Sequence, residues 1–524
     1  MAGTDYDLLV IGGGVNGVGI ARDAAGRGLR VLLCEKDDLA SHTSSSSTKL
    51  IHGGLRYLEY YEFGLVRKAL QEREVLLRAA PHIMWPLRFV MPHMPHLRPA
   101  WMIRAGLFLY DHLARREVLP GSEGIDMQRH PAGEPLLDTI QRGFVYSDGW
   151  VDDARLVVLN AVCASEHGAT VLTRTTVVDA ERHGKVWEAT LRDAHGTQRT
   201  VSARAIANAA GPWVAELLRA KLRGDGVHAP KHKIRLVKGS HIVTRRLFAH
   251  DYAYIFQNPD KRIIFAIPYE QDFTLIGTTD VEYQGDAGKA EISAEEMAYL
   301  CESVNRYFKR QIGPADVVWT YSGVRPLLEE ENAGNASAAT RDYRLEVDGD
   351  AEHAPLLSVF GGKITTFRKL AEQAVDKLAP LLGVERDSQT ALEALPGGDL
   401  PDRDFEAYVK RLQTQYAWLP AELTRRYARA YGSRITRLLG RANALADLGP
   451  ALAPGLYEAE LVYLRDHEWA RTADDVLWRR SKLGLHLPSD ARPAVQAWFE
   501  RHPSPDTAAP SIAPIAAPNG AAAH

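Results

Sequence analysis

Apolar residues change their spacing along the chain, and the changes mark its parts. An unbroken apolar run at 6–11 (YDLLVI) opens into Gly12-Gly13-Gly14, a helical stretch covers 18–28, and a second apolar run covers 30–34. Continuous apolar runs joined by a helix predict parallel strands buried on both faces, a βαβ unit. Helical spacing returns at 57–80 (Leu65, Ala69, Leu76, Leu77) and 152–167, where Asp148 or Asp152 is placed to cap. Short strands are predicted at 170–178, 186–192 and 200–206. Between 234 and 280 apolar and polar residues alternate through IRLVKGSHIV, AYIFQ, RIIFAIP and FTLIGTT, which predicts an antiparallel sheet. A helix follows over 293–308, opened by a capping box of Ser293 and Glu296. Beyond Pro396 the period is helical: Phe405, Tyr408, Val409 and Leu412 share one face, as do Ile435, Leu438 and Leu439, with further helices at 456–469 and 474–483. The Ala/Pro-rich stretch from Pro503 has too little to bury and is expected to be disordered.

Composition narrows the picture. The 524 residues are 45% hydrophobic and 25% charged, as in an ordinary globular enzyme, and they are too many for one small core. A net charge of −3 gives no footprint for nucleic acid. Cys34, Cys163 and Cys301 are far apart and read as reduced, buried thiols. No apolar run reaches the length of a spanning helix, and no signal-peptide layout opens the chain, so a cytoplasmic protein is expected. No close cluster of ligand-type residues points to a metal.

The chemistry starts in the first βαβ unit. Gly12-x-Gly14-x-x-Gly17 follows a strand and opens a helix, and Glu35 closes the next strand. Gly12 permits the tight turn, Gly14 lets a pyrophosphate approach, and Gly17 lets helix and strand pack, while the helix N-terminus favours anions. Glu35 stands where a carboxylate accepts hydrogen bonds from the adenosine ribose and repels a 2′-phosphate, so NAD and FAD both remain open at this point. The strands after residue 170 form a β-meander in place of a second clean mononucleotide half, and that favours FAD. Ser44 to Tyr57 (SSSSTKLIHGGLRY) then packs hydroxyls, glycines and cations into one run suited to an anion. The run ANAAGPW at 207–213, with Gly211, would let a cofactor lie close to the backbone, and Gly361-Gly362-Lys363 opens a second anion-friendly helix start. Arg56, Arg325 and Lys363, each beside a glycine or turn, suggest a small anionic substrate. For oxidation of an alcohol, His52 is the first candidate base and His241 the second. The stretch 86–116 mixes five arginines with Phe89, Trp101, Phe108 and Tyr110, which suits either a membrane surface or a core-packed excursion.

Several runs together carry a resemblance: IGGGVNGVGIARDAAGRG (11–28), SSSSTKLIHGGLRYLE (44–59), ANAAGPW (207–213), KGSHIV (238–243), IGTTDVEY (276–283), SGVRPL (322–327), GGKITTFRKLAE (361–372) and ARTADDVLWRRSKLG (470–484). From about residue 5 to about residue 500 the sequence resembles the aerobic, respiratory, FAD-dependent glycerol-3-phosphate dehydrogenases. The resemblance implies oxidation of sn-glycerol 3-phosphate at C2 to dihydroxyacetone phosphate, with hydride passing to FAD and electrons to a membrane quinone. By motif, Gly12, Gly14, Gly17 and Glu35 would hold the ADP part of FAD, Ser45, Ser46, Thr48 and Lys49 would line its pyrophosphate-to-flavin side, and Gly362, Lys363 and Thr365 would lie near the isoalloxazine. Arg56, Tyr57, His241, Thr279, Arg325 and Lys363 would surround the substrate, with Arg325 and Arg56 on its phosphate and His52 taking the proton; Arg325 and Lys363 also count among the catalytic candidates.

The implied fold class is α/β: a discontinuous Rossmann-like, glutathione-reductase-like FAD domain (5–80, 146–232 and 321–390), an antiparallel substrate domain (233–320) and an all-helical C-terminal domain (391–502), followed by a disordered tail (503–524). The excursion at 81–145 would be membrane-facing, giving a peripheral, monotopic contact with the cytoplasmic face of the inner membrane; a homodimer is left open. Two further possibilities stay in view. One is an FAD-dependent oxidase that passes electrons from glycerol 3-phosphate or an amino acid to oxygen. The other is a non-catalytic nucleotide-binding protein, against which every checkable motif is filled.

Overall fold

The computed structural model describes residues 4–225, 227, 233–328, 342–350 and 352–504. Tyr6–Ile11 lies at the centre of the first sheet because its side chains are apolar on both faces. Leu8 and Val10 enter one core with the helices Val15–Gly26, Asp153–Glu166 and Phe367–Leu382, whereas Leu9 and Ile11 enter another with Trp187 and Ala189. Its parallel neighbours run in the order Thr170–Leu172, Val31–Cys34, Tyr6–Ile11, Gln198–Asn208 and Leu356–Phe360. The first half of Gln198–Asn208 pairs instead with the antiparallel meander Thr176–His183 and Val186–Arg192. Nine strands in all build this sheet among the described residues.

The second sheet has ten strands and draws on more of the chain than its alternating region. Ile234–Arg245, Phe273–Gly277, Ile263–Tyr269 and Ala253–Gln257 pair antiparallel, as their alternation predicts. Met84–Pro92 and Arg142–Val151 continue the sheet, the former joining Ala253–Gln257 in a parallel pair. The first part of the 81–145 excursion is therefore a sheet strand. Pro86 and Pro92 stand opposite Gly149 and Gly143, where no side chain crowds the ring. At the other edge Val317–Leu328 pairs with Ile234–Arg245, so Arg325 belongs to the second sheet although the sequence grouped it with the first.

Helix Ala100–His112 packs Leu107 and Tyr110 against this sheet and leaves Trp101, Phe108 and Leu109 exposed. The helix expected at 57–80 is broken: a 3-10 segment, Leu55–Tyr60, ends at Tyr61, whose φ of 61° is left-handed, and Phe63–Ala79 continues as α-helix. The C-terminal region forms a helical domain around its own core, with Phe405–Gln415, Ala421–Tyr431, Glu458–Glu468 and Ala491–Arg501, and a small ribbon of Ala451–Ala453 and Leu456–Tyr457. The tail from 505 onward lies outside the described residues. No helix among the described residues is long and apolar enough to cross a membrane.

Candidate active site

Steric demands fix the glycines at the nucleotide end. Gly12 has φ of 115°, and a Cβ there would lie 2.6 Å from the Ala209 carbonyl oxygen; one on Gly17 would lie 1.9 Å from the Gly12 carbonyl oxygen. Gly14 is the N-cap of Val15–Gly26 and supplies no side-chain cap, so this helix start faces a cavity of about 470 Å³ lined by Gly12, Gly14, Glu35, Ala209 and Gly211. Glu35 is buried there. Its Oε2 accepts from the Gly13 N–H at 2.6 Å and its Oε1 from the Asp37 N–H at 2.8 Å. Burial pushes its carboxyl up in pKa, and these two N–H donors oppose that shift. A glycine-lined cavity, an open helix N-terminus and a buried acceptor carboxylate fit the ADP part of FAD.

The serine run lies beside this helix start. Ser44, which the sequence did not single out, accepts from the Val15 N–H through Oγ at 3.0 Å. Ser45 Oγ donates to the His42 carbonyl, and Ser46 packs where a Cβ on Gly323 would lie 2.7 Å from its Cβ. Lys49 is 1% exposed, and its Nζ donates to Asp153 Oδ1 at 2.7 Å and to the Ser45 carbonyl at 3.1 Å. Burial lowers its pKa against the pull of Asp153. Lys49 thus fastens the run to helix Asp153–Glu166.

The next loop is held from below by a buried polar network that the sequence did not reveal. The Gly53 N–H donates to the Tyr110 hydroxyl at 2.8 Å, Tyr110 donates to Asp148, and Arg73 donates to Asp148 Oδ1 at 2.7 Å. Asp148 therefore anchors this loop, and the cap of helix Asp153–Glu166 falls to Asp152, which accepts from the Arg155 N–H. Gly53 has no room for a side chain, since a Cβ would meet Leu70 at 2.5 Å. The His52 N–H donates to Thr365 Oγ1 at 3.3 Å, so Thr365 braces the loop while 2% exposed. Burial lowers the His52 pKa; Lys363 and Arg73 reinforce the shift and Asp148 opposes it. The net shift favours the neutral imidazole of His52.

Lys363 and Tyr57 meet: Nζ donates to the tyrosine hydroxyl at 2.9 Å and lies 4.0 Å from the ring centroid. Arg56 leans towards the Tyr60 hydroxyl at 3.4 Å. The turn at Gly361-Gly362 carries Lys363 beside the strand of Arg325, since a Cβ on Gly361 would lie 3.8 Å from the Pro326 carbonyl oxygen. Arg325 donates to Thr278 Oγ1 and to the Thr279 carbonyl and lies 3.7 Å from Asp280. His241 lies in the same sheet, its Nε2 3.0 Å from Thr48 Oγ1 and its ring stacked on Tyr321; burial, then Lys49 and Arg325, hold its pKa well below the usual range. The Thr279 hydroxyl donates to Glu296 Oε1 at 2.7 Å and accepts from the Ser240 N–H at 2.9 Å, with the residue 1% exposed, so it ties the sheet to helix Ala294–Asn305.

Two groups converge as ligand-type clusters: Cys163, His167 and Glu393, and Glu35, Asp37 and His42. Arg22 and His167 already engage Glu393, and His42 pairs with Asp37 at 2.8 Å.

Comparison with known proteins places these features. The family model of FAD dependent oxidoreductases matches residues 7–368, and that of the C-terminal domain of alpha-glycerophosphate oxidase matches residues 388–501. A glycerol-3-phosphate dehydrogenase of Pseudomonas aeruginosa is 56% identical over 95% of this chain and 96% of its own. The chain belongs to the FAD-dependent glycerol-3-phosphate dehydrogenase family. It is an FAD-dependent oxidoreductase, and the glycine-lined cavity is suited to that cofactor. The glycerol-3-phosphate dehydrogenase from Bacillus halodurans, solved with FAD, has a TM-score of 0.75 and 28% identity over 95% of this chain and 90% of that one. A D-erythritol 1-phosphate dehydrogenase of Brucella abortus is 51% identical over 94% of this chain and 97% of its own, so relatives this similar differ in the polyol phosphate they are named for.

Proposed function

We propose that the chain oxidises sn-glycerol 3-phosphate at C2 to dihydroxyacetone phosphate, with hydride passing to FAD and electrons onward to a membrane quinone. The observation that carries this reading is the convergence of a cation–π pair, Lys363 over Tyr57, with the loop that holds His52. Arg325 and Arg56 hold the phosphate, for which a planar guanidinium is suited by two parallel donors. His52 accepts the C2 hydroxyl proton as the C2 hydrogen leaves with its electron pair, so the alcohol becomes a ketone and both protons and electrons balance. The Lys363 cation stabilises negative charge that builds on the C2 oxygen. Bound FAD supplies the acceptor for that hydride. Gly12, Gly14, Gly17, Glu35 and Gly211 would hold its ADP part, Ser45, Ser46 and Thr48 would line its length, and Gly362 and Lys363 would flank its reactive end.

The quinone assignment rests on a surface beside this site. Tyr60, Tyr61 and Phe63 are exposed next to the substrate loop, and Trp101, Phe108 and Leu109 are exposed on helix Ala100–His112, which packs against Leu55–Tyr60. Arg98 reaches Glu59 at 3.5 Å between the two groups. Aromatic and aliphatic side chains rimmed by cations suit the interfacial layer of a bilayer, where quinone is found. The protein then binds peripherally to the cytoplasmic face of the inner membrane. A second reading keeps the same site and gives the electrons to oxygen, which the oxidase named by the C-terminal family model favours. Turnover with glycerol 3-phosphate separates the two: reduction of a short-chain quinone without oxygen supports the dehydrogenase, and stoichiometric oxygen uptake with peroxide formation supports the oxidase. Turnover with D-erythritol 1-phosphate and not with glycerol 3-phosphate would move the substrate assignment.

A further inference from the structure

The run ARTADDVLWRRSKLG at 470–484 lies in the C-terminal helical domain, far along the chain from the proposed chemistry. Residues Asp475–Arg480 form a single π-helical turn. Arg479 and Arg480 both point from it into the FAD domain. Arg479 Nε donates to Asp38 Oδ2 at 2.6 Å, Arg480 donates to Asp38 Oδ1 at 2.8 Å, and a second Arg480 nitrogen donates to Asp38 Oδ2. Asp475 completes the cluster by accepting from Arg174 at 2.6 Å and from Arg479. Asp38, Asp475 and Arg480 are buried. Burial raises the Asp475 pKa, but Arg480, Arg174 and Arg479 together hold it far below the usual carboxylate range.

Asp38 is three residues from Glu35, and the turn between them is one connected piece. The Asp37 N–H donates to Glu35 Oε1, the Asp37 carbonyl accepts from the Arg174 N–H at 2.8 Å, and the Glu35 carbonyl accepts from the Thr175 N–H at 2.7 Å. On the far side, the Asp38 carbonyl accepts from both the N–H and the hydroxyl of Ser41, and the Ala40 N–H donates to the Gly13 carbonyl. Arg174 touches both ends, by its backbone to Asp37 and by its side chain to Asp475. Three carboxylates, Glu35, Asp37 and Asp38, would repel one another in so short a turn without compensating cations, and the cations nearest Asp38 come from the other domain.

We propose that the C-terminal domain completes the cofactor site: Arg479 and Arg480 are positioning residues that hold, through Asp38, the turn that presents Glu35 to the adenosine ribose of FAD. This rests on the reading of Glu35 as the ribose ligand. Supporting groups behind a ligand are expected to change affinity roughly tenfold or more when removed.

The test is the rate of FAD release from purified holoprotein, followed by flavin fluorescence after dilution. Arg480→Ala and the less buried Arg479→Ala should each release FAD roughly tenfold faster, and Arg480→Lys should restore part of the loss. Their KM for glycerol 3-phosphate at saturating FAD should be unchanged. Arg434→Ala is the control: it removes another ion pair between the same domains, Arg434 to Glu166 at 2.6 Å, and should lower the melting temperature without changing FAD release. Equal release rates in Arg479→Ala and the parent, alongside faster release from Glu35→Gln, would overturn the proposal. Unchanged release from Glu35→Gln would overturn the ribose reading and the proposal with it.

Discussion

Lys363 and Tyr57 are 306 residues apart in the chain, yet the lysine Nζ donates to the tyrosine hydroxyl at 2.9 Å and sits 4.0 Å from the centre of its ring. The contact joins the turn after strand Leu356–Phe360 to the 3-10 segment Leu55–Tyr60. A cation fixed in this way costs no reorganisation when charge develops on a substrate oxygen. Lys363→Met should lower kcat/KM by about a hundredfold, while Tyr57→Phe, which keeps the ring and removes the hydroxyl, should have a smaller effect carried mainly in KM. Steady-state kinetics with glycerol 3-phosphate checks both.

His52 must be unprotonated to accept the hydroxyl proton. Burial moves its pKa below the ordinary 6.5, so the neutral form already dominates at pH 7. The kcat/KM profile should therefore be flat through neutrality and fall only as pH drops through the lowered His52 pKa. His52→Gln should be strongly impaired and should lose that acid limb. An unchanged limb in the variant would assign the proton to another group, His241 being the next in place.

Lys49 and Asp153 form a pair with side chains 1% and 0% exposed. Removing one partner of a buried pair leaves the other charge uncompensated, so Lys49→Met should destabilise the protein by about 3–5 kcal/mol, and the double variant Lys49→Met/Asp153→Leu by less. Denaturant unfolding measures this. FAD content per folded molecule should stay at the parental value, as it would not if Lys49 held the cofactor.

The apolar surface beside the substrate loop makes a separate prediction. Trp101 is 70% and Tyr61 80% exposed. Trp101→Glu combined with Tyr61→Glu should reduce co-sedimentation with vesicles of bacterial lipid and leave turnover with a water-soluble dye intact. Undiminished sedimentation would remove this surface from the account.

The sequence made some of these features legible because they are local. Gly12, Gly14, Gly17 and Glu35 lie within one βαβ unit, so their spacing alone fixes their relative positions, and the capping box of Ser293 and Glu296 was readable for the same reason. The buried pairing of Lys49 was not legible because its partner, Asp153, is 104 residues away. The tie of Thr279 to Glu296 was hidden for the same reason: Glu296 caps its own helix and also accepts the threonine hydroxyl. Asp148 read as a cap candidate and Tyr110 as part of an aromatic stretch, and their network with Arg73 was not legible, since a buried polar network is visible only once distant strands and helices are brought together. Met84–Pro92 hid as an excursion because its prolines contradict strand propensity; the strand accommodates them because its parallel pairing with Ala253–Gln257 involves only Phe89 and Val90, which leaves both prolines outside it.

The most direct measurement is an anaerobic absorbance titration of the purified holoprotein with glycerol 3-phosphate. The oxidised-flavin bands should bleach stoichiometrically, and dihydroxyacetone phosphate should appear in equal amount. Flavin bands that persist under excess glycerol 3-phosphate would contradict the substrate assignment while leaving the fold and the cofactor in place.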